Sequence, residues 1–361
     1  MLMHVGVPAE IKDHETRTAV TPSLAAALVR RGHEVLVQEG VGLNSGLSDA
    51  QYADAGARLV ADADTVWSAA DLIVKVKEPI EAEYARFRPD QVIFSYLHLA
   101  AARECQQALV DAGCTGIAFE TVQLADGSLP LLAPMSEIAG RLAVQFGADY
   151  LTAPMGGRGL LLGGIAGVAP ANVVVIGAGA AGMHATSVAV GLRGLVTVVD
   201  LSLDRLRSVN DHYSGRVLTV AGTDHLEVED SIAEADLVVC AALVPGARAP
   251  IIVTEEMLDR MPRGAVVVDV AIDQGGNCAV SRPTTHAEPT FTSHGVLVSC
   301  ITNLPAAVPR TATFALSTAI APYVLKLADL GWKAAVAQDP ALAGGVNVSG
   351  GKVVHPALLQ D

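Results

Sequence analysis

The stretch NVVVIGAGAAG, residues 172–182, limits what this chain can fold into more than any other part of the sequence. NVVVI is apolar and rich in valine, as buried parallel strands are. Gly177, Gly179 and Gly182 follow it at a spacing typical of dinucleotide-binding turns. There the first glycine allows a tight turn, the second admits a pyrophosphate, and the third lets the helix pack on the strand. The sequence therefore predicts a phosphate-binding turn at a helix N-terminus; a glycine turn that binds nothing is the alternative.

The cofactor that such a turn would hold is indicated by Asp200. This residue ends the next apolar run, VTVVD, and lies 18 residues beyond Gly182. An acid about 20 residues after the glycines accepts hydrogen bonds from the ribose hydroxyls of NAD, and its charge would repel the 2′-phosphate of NADP. The sequence therefore predicts NAD. Arg205 follows on the next helical stretch, where it either lies beside the adenosine or is a solvated helix residue.

Short apolar runs alternate with helical patterns along almost the whole chain. EVLVQ, LIVKVK, QVIFSY and TGIAFE are strand-like in the first part, and NVVVI, VTVVD, ADLVVCA, AVVVDVA and VLVSCI in the second. Such alternation is typical of parallel sheets that are covered on both faces. Between the two series, SEIAGRLAVQFGADYLTA predicts a long connecting helix over 136–153 with Ser136 as its N-cap. The predicted fold class is α/β, with two Rossmann-like doubly wound domains and a cleft between them.

Charge and hydropathy exclude several classes of partner. The formal net charge is −14 and no basic tract stands out, so we expect neither nucleic acid nor an anionic membrane surface to bind. The longest apolar run, about 159–182, is broken by glycines, Pro170 and Asn172, which is unlike a membrane span. The N-terminus lacks the pattern of a signal peptide, and the scattered cysteines lack zinc-ligand spacing. We therefore expect a cytoplasmic protein without a metal.

Three polar residues of the first part follow strand-like runs. Arg17 lies in the loop after the first run, Lys77 ends LIVKVK, and His98 comes directly after QVIFSY and Leu97. The carboxyl ends of parallel strands form one rim, where ligands bind. Arginine binds carboxylates through two hydrogen bonds, lysine polarises a carbonyl oxygen, and histidine exchanges protons near neutral pH. Alone, each could be a surface charge, a lysine reaching water, or a helix cap; together they suit a 2-oxo or 2-amino acid.

The second part offers two further polar residues at predicted strand ends. Asp273 follows VVVDV, with Gly275 and Gly276 leaving room for a ligand, whereas Asp269 lies inside the strand and is expected to be structural. Asn303 follows the last strand of the series, before a turn that contains Pro305. We therefore predict that Asp273 and Asn303 lie at the ligand-binding rim of the second sheet.

The motifs around these residues are long and specific. They are TRTAVTP, KVKEP, LHLAA, LLAPMSEIAGRLA, GGRG, VVVIGAGAAG, LVPGA, DVAIDQGG, SRPTT and NLPAAVPRTAT. Across nearly the full length, the chain resembles the L-alanine dehydrogenases. The resemblance implies NAD-dependent, reversible oxidative deamination of L-alanine to pyruvate and ammonia.

The resemblance also implies roles for individual residues. Arg17 and Lys77 would hold pyruvate together with Asn303, while His98 and Asp273 would be catalytic. The residues implied for NAD lie at the glycine turn and at the strand ends of the second domain: Ser136, Gly177, Gly179, Ala180, Ala181, Gly182, Asp200, Arg205, Ala242, Leu243, Val270, Ala271, Ile272, Arg282, Ile301, Thr302 and Leu304.

The same resemblance implies how the chain is divided and assembled. The substrate domain would comprise 1–131 and 310–361, because a C-terminal helix completes it, and the NAD-binding domain would comprise 132–309. Members of the family typically form homohexamers. Two other functions stay open at this point: the soluble NAD-binding component of a transhydrogenase, which would need membrane partners, and a non-catalytic NAD-binding regulator.

Overall fold

The computed structural model describes residues 2–243 and 248–359. The chain forms two compact units, the first comprising Met1–Met135 and Val308–Asp361 and the second Ser136–Ala307. The chain therefore passes between the units at 135/136 and at 307/308, where the sequence places the divisions at 131/132 and 309/310.

Fifteen strands are present in the described residues: β1 His4–Val7, β2 Glu34–Gln38, β3 Arg58–Val60, β4 Leu72–Val74, β5 Val92–Ser95, β6 Thr115–Ala118, β7 Asn172–Ile176, β8 Leu195–Asp200, β9 Leu218–Ala221, β10 Leu237–Cys240, β11 Val266–Asp269, β12 Phe291–Ser293, β13 Val296–Ser299, β14 Val346–Ser349 and β15 Lys352–Val353.

The α-helices of the same residues are α1 Pro22–Arg30, α2 Asp49–Asp54, α3 Ala63–Ala69, α4 Glu81–Tyr84, α5 Arg103–Ala112, α6 Ala133–Tyr150, α7 Ala180–Gly191, α8 Leu203–Tyr213, α9 His225–Ala233, α10 Glu255–Arg260, α11 Pro309–Leu330, α12 Trp332–Gln338 and α13 Pro340–Gly344. Six 3-10 turns also occur, of which Phe119–Thr121 and Val270–Gln274 matter for the site.

The sheet of the first unit has the order β15-β14-β6-β5-β4-β1-β2-β3. Strands β1 to β6 are parallel, and their order is that of a Rossmann sheet. The last part of the chain returns to this unit, where β14 pairs antiparallel with β6. A core of aliphatic and aromatic side chains, including Trp67, Ile93 and Leu109, lies against this sheet.

The sheet of the second unit has the order β12-β13-β11-β10-β7-β8-β9. All its pairings are parallel except the β12–β13 hairpin at one edge. The central strands are buried except at Asn172, the first residue of β7, because side chains from both faces enter separate apolar cores. Two α/β units with Rossmann strand order confirm the predicted α/β fold of two Rossmann-like domains.

Helix α11 contributes to the core of the first unit. Among the described helices it alone is long and apolar enough to cross a membrane, and 44% of its most apolar window is buried inside the structure. Thr313 and Ser317 on its buried face accept hydrogen bonds from the amides of Thr18 and Thr21, each at 3.1 Å. These contacts tie the C-terminal helix to the loop that carries Arg17.

The structure corrects the local predictions for the connecting helix and for strand β4. The connecting helix spans Ala133–Tyr150, not 136–153, so Ser136 lies inside the helix and is not its N-cap. Pro134 falls in the first turn, where proline is tolerated, and Pro154 disfavours helical backbone just before it. Strand β4 ends at Val74, so Lys75 and Lys77 lie beyond the strand. Positions 244–247 of the LVPGA motif lie outside the described residues.

Candidate active site

Four neighbouring strands of the first unit bring polar side chains to one edge of the sheet. Arg17 lies in the loop after β1, Lys77 follows β4, His98 follows β5, and Glu120 follows β6. These strands are adjacent and parallel, so their carboxyl ends lie at the same edge. The structure thus brings the three predicted residues of this unit to one edge and adds Glu120, which the sequence reasoning missed.

Arg17 is buried and its guanidinium has a fixed orientation. Its Nε donates to Oε1 of Glu15 at 2.7 Å, and Nη2 donates to Oε2 of Glu15 at 2.5 Å. Nη1 donates to Sδ of Met135 at 3.2 Å. A two-pronged bond of this kind fixes the plane of the guanidinium as well as its position. The group is therefore held in place by the protein itself.

His98 is bound to a carboxylate that the sequence reasoning did not include. Its Nδ1 lies 3.1 Å from Oε2 of Glu78, and the other oxygen of Glu78 forms an ion pair with Nζ of Lys12. Burial alone would raise the pKa of Glu78, but the bonds and charges of His98 and Lys12 outweigh it and lower the pKa to about 2. Glu78 is therefore ionised at neutral pH and accepts a hydrogen bond from the protonated Nδ1 of His98. Nε2 is then the ring nitrogen that can exchange protons with the substrate.

The backbone at His98 has an unusual conformation. Its φ is +47°, a left-handed value that costs a non-glycine residue on the order of 1 kcal/mol or more. Glu120 holds it there, since Oε1 accepts the amide N–H of His98 at 2.6 Å and that of Leu97 at 3.2 Å. The ring of Tyr96 stacks on the imidazole with centroids 5.9 Å apart. Glu120 and Tyr96 thus set the direction of the His98 side chain.

The two lysines of the KVKEP motif have different environments. Lys75 is only 1% exposed and pairs with the buried carboxylates of Glu10 and Glu83, so it is structural and not solvent-facing. Lys77 is partly exposed and lies at the edge beside Glu78. Of the two lysines, only Lys77 is accessible from outside the protein.

The glycine turn of the second unit has the geometry of a phosphate cradle. Gly177 has φ +97°, which a side chain rarely adopts, and a Cβ on Gly182 would lie 1.6 Å from the carbonyl oxygen of Gly177. A Cβ on Gly179 would meet nothing within 4 Å, so the space beside this residue is open. Helix α7 begins at Ala180, with Gly179 at its N-cap. The turn therefore leaves room for a pyrophosphate at the helix N-terminus.

Asp200 ends β8 beside this turn and its side chain is 8% exposed. One oxygen accepts the amide N–H of Ala178 at 2.6 Å, and the other accepts that of Ser202 at 2.7 Å. Nη1 of Arg205 lies 3.7 Å from the carboxylate, while the Arg205 side chain is mostly exposed. Asp200 thus ties the glycine turn to the end of the next strand, and its remaining lone pairs can accept ribose hydroxyls.

The other predicted cofactor residues follow neighbouring strands of the same sheet. Ala242 and Leu243 come after β10, the turn Val270–Gln274 carries Asp273 after β11, and Ile301–Leu304 come after β13. Beneath them, buried Asp269 accepts the amides of Ala271 and Asn277 at 3.0 and 2.7 Å, as expected for a structural residue. The side-chain amide of Asn277 accepts the backbone N–H of Ala242 and donates to the backbone carbonyl of the same residue. One polar network therefore shapes two of these strand ends.

The remaining predicted residues of the second unit are Asp273, Arg282 and Ser136. Asp273 is exposed. The guanidinium of Arg282 lies over the ring of Phe291, with Cζ 4.3 Å from the ring centre. Ser136 is on α6, one turn before Gly140, where a Cβ would lie 1.9 Å from the carbonyl oxygen of Ala181. Ser136 is therefore near the glycine turn. Among the described residues, no group of three or more His, Cys, Asp or Glu side chains could hold a metal ion.

The chain matches two family models, one after the other. Residues 6–139 match the model described as Alanine dehydrogenase/PNT, N-terminal domain, and residues 143–356 match Alanine dehydrogenase/PNT, C-terminal domain. The chain belongs to the alanine dehydrogenase/PNT family.

Within this family the chain is more similar to alanine dehydrogenases than to a transhydrogenase. It is 55% identical over 359 residues to the alanine dehydrogenase of Mycolicibacterium smegmatis, covering 99% of this chain and 96% of that protein. A solved structure named L-alanine dehydrogenase has a TM-score of 0.95 and 47% identity, covering 99% of this chain and 98% of that one. The transhydrogenase structure from Sinorhizobium meliloti has a TM-score of 0.81 and 27% identity, covering 98% and 99%.

Proposed function

We propose that the protein is an NAD-dependent alanine dehydrogenase that converts L-alanine reversibly to pyruvate and ammonia. The observation that carries the proposal is the near full-length identity of 55% to an alanine dehydrogenase. The edge of the first sheet supports it independently, because a fixed guanidinium, a lysine and a carboxylate-bound histidine suit a small 2-oxo or 2-amino acid.

Substrate binding falls to Arg17, Lys77 and Asn303. Arg17 binds the substrate carboxylate through its planar guanidinium, whose orientation Glu15 fixes. Lys77 donates a charge-assisted hydrogen bond to the substrate oxygen, on which negative charge builds as ammonia adds to the carbonyl of pyruvate in the reverse reaction. Asn303, whose backbone also has a left-handed φ of +62°, is the third residue proposed to bind the substrate.

Proton transfer falls to His98, with Asp273 orienting water or ammonia. When bound, NAD accepts the hydride from Cα of alanine. Because Glu78 holds the protonated Nδ1, Nε2 of His98 takes a proton when alanine is oxidised and returns one in the reverse reaction. Alanine oxidation therefore requires His98 in its neutral form.

The residues proposed to bind NAD surround the glycine turn and the neighbouring strand ends. Gly177, Gly179 and Gly182 admit the pyrophosphate, and Asp200 accepts the ribose hydroxyls and disfavours NADP. The remaining members of the proposed site are Ser136, Ala180, Ala181, Arg205, Ala242, Leu243, Val270, Ala271, Ile272, Arg282, Ile301, Thr302 and Leu304.

A spectrophotometric assay with L-alanine and NAD tests this function against both alternatives. An alanine dehydrogenase forms NADH when L-alanine and NAD are the only substrates. A transhydrogenase component would bind NAD without oxidising alanine, and so would a regulator. Absence of alanine-dependent NADH formation in protein that binds NADH would therefore contradict the proposal.

We also propose that the protein is a cytoplasmic homo-oligomer, with a hexamer as the expected state. The loop 160–170 of the second unit supports self-association, because Leu161, Ile165 and Val168 are all more than half exposed in the single chain. Contiguous apolar side chains of this kind commonly mark protein interfaces. Light scattering that finds a fully active monomer would contradict the assembly.

A further inference from the structure

A cluster of three buried charges lies beneath the KVKEP segment of the first unit. Nζ of Lys75 donates to Oε1 of Glu83 at 2.6 Å and lies 3.3 Å from Oε2 of Glu10. All three side chains are 3% exposed or less. Buried ions of this kind cost free energy to desolvate, so a cluster of three suggests a role beyond stability.

The two carboxylates also bind backbone amides at opposite ends of one short segment. Oε1 of Glu10 accepts the amide N–H of Val76 at 2.6 Å. Oε2 of Glu83 accepts the amide N–H of Ile80 at 3.1 Å, at the start of helix α4. Lys75 bonds to the second oxygen of Glu83 and pairs with the second oxygen of Glu10. The cluster therefore fixes both ends of residues 76–80.

The residues between these two amides belong to the candidate site. Lys77 is the proposed ligand of the substrate oxygen, and Glu78 binds Nδ1 of His98 at 3.1 Å. A displacement of about 1 Å at such positions can cost about 10²-fold in rate. The positions of Lys77 and Glu78 thus depend on how well the ends of their segment are held.

We propose that Glu10, Lys75 and Glu83 are positioning residues that clamp residues 76–80, and thereby place Lys77 on the substrate and Glu78 on His98. The role in catalysis rests on the proposed alanine dehydrogenase function. The clamp itself is a property of the backbone and can be measured without substrate.

The charges around Glu10 indicate which of its features the clamp needs. Glu10 faces Lys75, Glu83 and Glu15, and Glu15 is itself paired with Arg17. Burial raises the pKa of Glu10 to about 7, against the opposing effect of Lys75. At neutral pH Glu10 is therefore protonated in a substantial fraction of the molecules, and the protonated acid keeps an oxygen for the Val76 amide. The clamp requires the Oε1 acceptor for Val76 and tolerates a neutral Glu10.

Two substitutions of Glu10 should therefore have different effects. Glu10→Gln keeps an oxygen for the Val76 amide and resembles the protonated acid, whereas Glu10→Ala leaves the buried amide without its acceptor. We expect Glu10→Ala to lower kcat about 10–100-fold with unchanged NADH affinity, and its pH–rate profile to shift because Glu78 no longer holds His98 in place. We expect Glu10→Gln to stay within about threefold of the parent, with the parent profile.

Amide hydrogen exchange of residues 76–80 provides the readout that does not depend on activity. Exchange at Val76 should accelerate in Glu10→Ala and stay slow in Glu10→Gln. Glu83→Ala tests the other end through the Ile80 amide and replaces Glu10→Ala if that variant does not fold. Glu81→Ala is the matched control, because Glu81 is an exposed residue of the same helix.

The outcomes separate this proposal from the function on which it rests. Parent-like exchange and kcat in both alanine variants would overturn the clamp, and so would equal losses in Glu10→Gln and Glu10→Ala. Faster exchange at Val76 in Glu10→Ala, together with a parent that forms no NADH from alanine, would leave the clamp standing and remove the proposed function.

Discussion

Glu78→Gln is the substitution that most sharply tests how His98 is held. Glu78 binds two donors, Nζ of Lys12 through one oxygen and Nδ1 of His98 through the other. Glutamine would put one oxygen, which accepts, and one NH2 group, which donates, where Glu78 has two accepting oxygens. Because the ammonium of Lys12 can only donate, the amide oxygen should face Lys12 and the NH2 group should face His98. Nδ1 of His98 would then have to accept a hydrogen bond, so the proton of the neutral ring would lie on Nε2. Nε2 is the nitrogen that must be unprotonated to act as a base.

The pKa of Glu78 and the tautomer of His98 set the size of the effect. The fall from 4.5 to about 2 corresponds to about 3 kcal/mol, which His98 and Lys12 together supply in excess of the cost of burial. Inversion of the tautomer removes the base from Nε2, and loss of a positioned acid–base group typically costs about 10²–10⁴-fold in rate. We therefore expect kcat for alanine oxidation to fall about 10²-fold, with NADH binding unchanged.

A second substitution makes the test specific. Lys12→Met in the Glu78→Gln background removes the competing donor, so the amide oxygen can turn to Nδ1 and part of the activity should return. Lys12 is partly exposed, which makes its replacement tolerable. Steady-state kinetics of the parent, both single variants and the double variant decide the matter. A Glu78→Gln enzyme within threefold of the parent, or a double variant no better than Glu78→Gln, would refute the tautomer argument.

Three further predictions concern the glycine turn, the cofactor and the buried acid. Gly182→Ala should abolish NADH binding, since its Cβ would lie 1.6 Å from the carbonyl oxygen of Gly177, whereas Gly191→Ala on the same helix meets nothing within 4 Å and should bind normally; fluorescence titration compares the two. Asp200→Ala should weaken NAD binding and reduce the preference for NAD over NADP, as kinetics with both cofactors would show; an unchanged preference would remove Asp200 from the site. Because burial raises the pKa of Glu10 from 4.5 to about 7, its contribution to stability is complete below pH 4.5 and is lost as pH rises through 7; Glu10→Gln should flatten this part of the melting-temperature profile, and an unaltered profile would contradict the assignment.

The parts of the fold that depend on local sequence could be predicted from it. EVLVQ and NVVVI became β2 and β7 without a shift in their bounds, because continuous apolar runs between turn residues favour buried strands. Gly113 ends α5 with φ +70°, as a left-handed helix cap does. By contrast, β14 pairs with β6, more than 200 residues earlier in the chain, and β15 then pairs with β14. No local pattern identifies that partner.

The candidate site shows the same limit. The rule that ligands bind at the carboxyl ends of parallel strands was enough to group Arg17, Lys77 and His98. It could also have found Glu120, which follows β6 as His98 follows β5. The roles of Glu78 and Lys75 depend on partners from distant elements, Lys12 and Glu10 among them, so their spacing in the sequence does not reveal them.

NADH formation from L-alanine and NAD by the purified protein, compared with that by His98→Ala, distinguishes an alanine dehydrogenase from a protein that only binds the cofactor. We predict that the parent forms NADH from L-alanine, and faster at higher pH, because His98 must be neutral to accept a proton. We expect a rate about 10²–10⁴-fold lower in His98→Ala, with NADH bound equally by both. A parent that binds NADH but forms none from L-alanine at any pH, or a His98→Ala enzyme with the parent's rate and pH profile, would contradict the proposal.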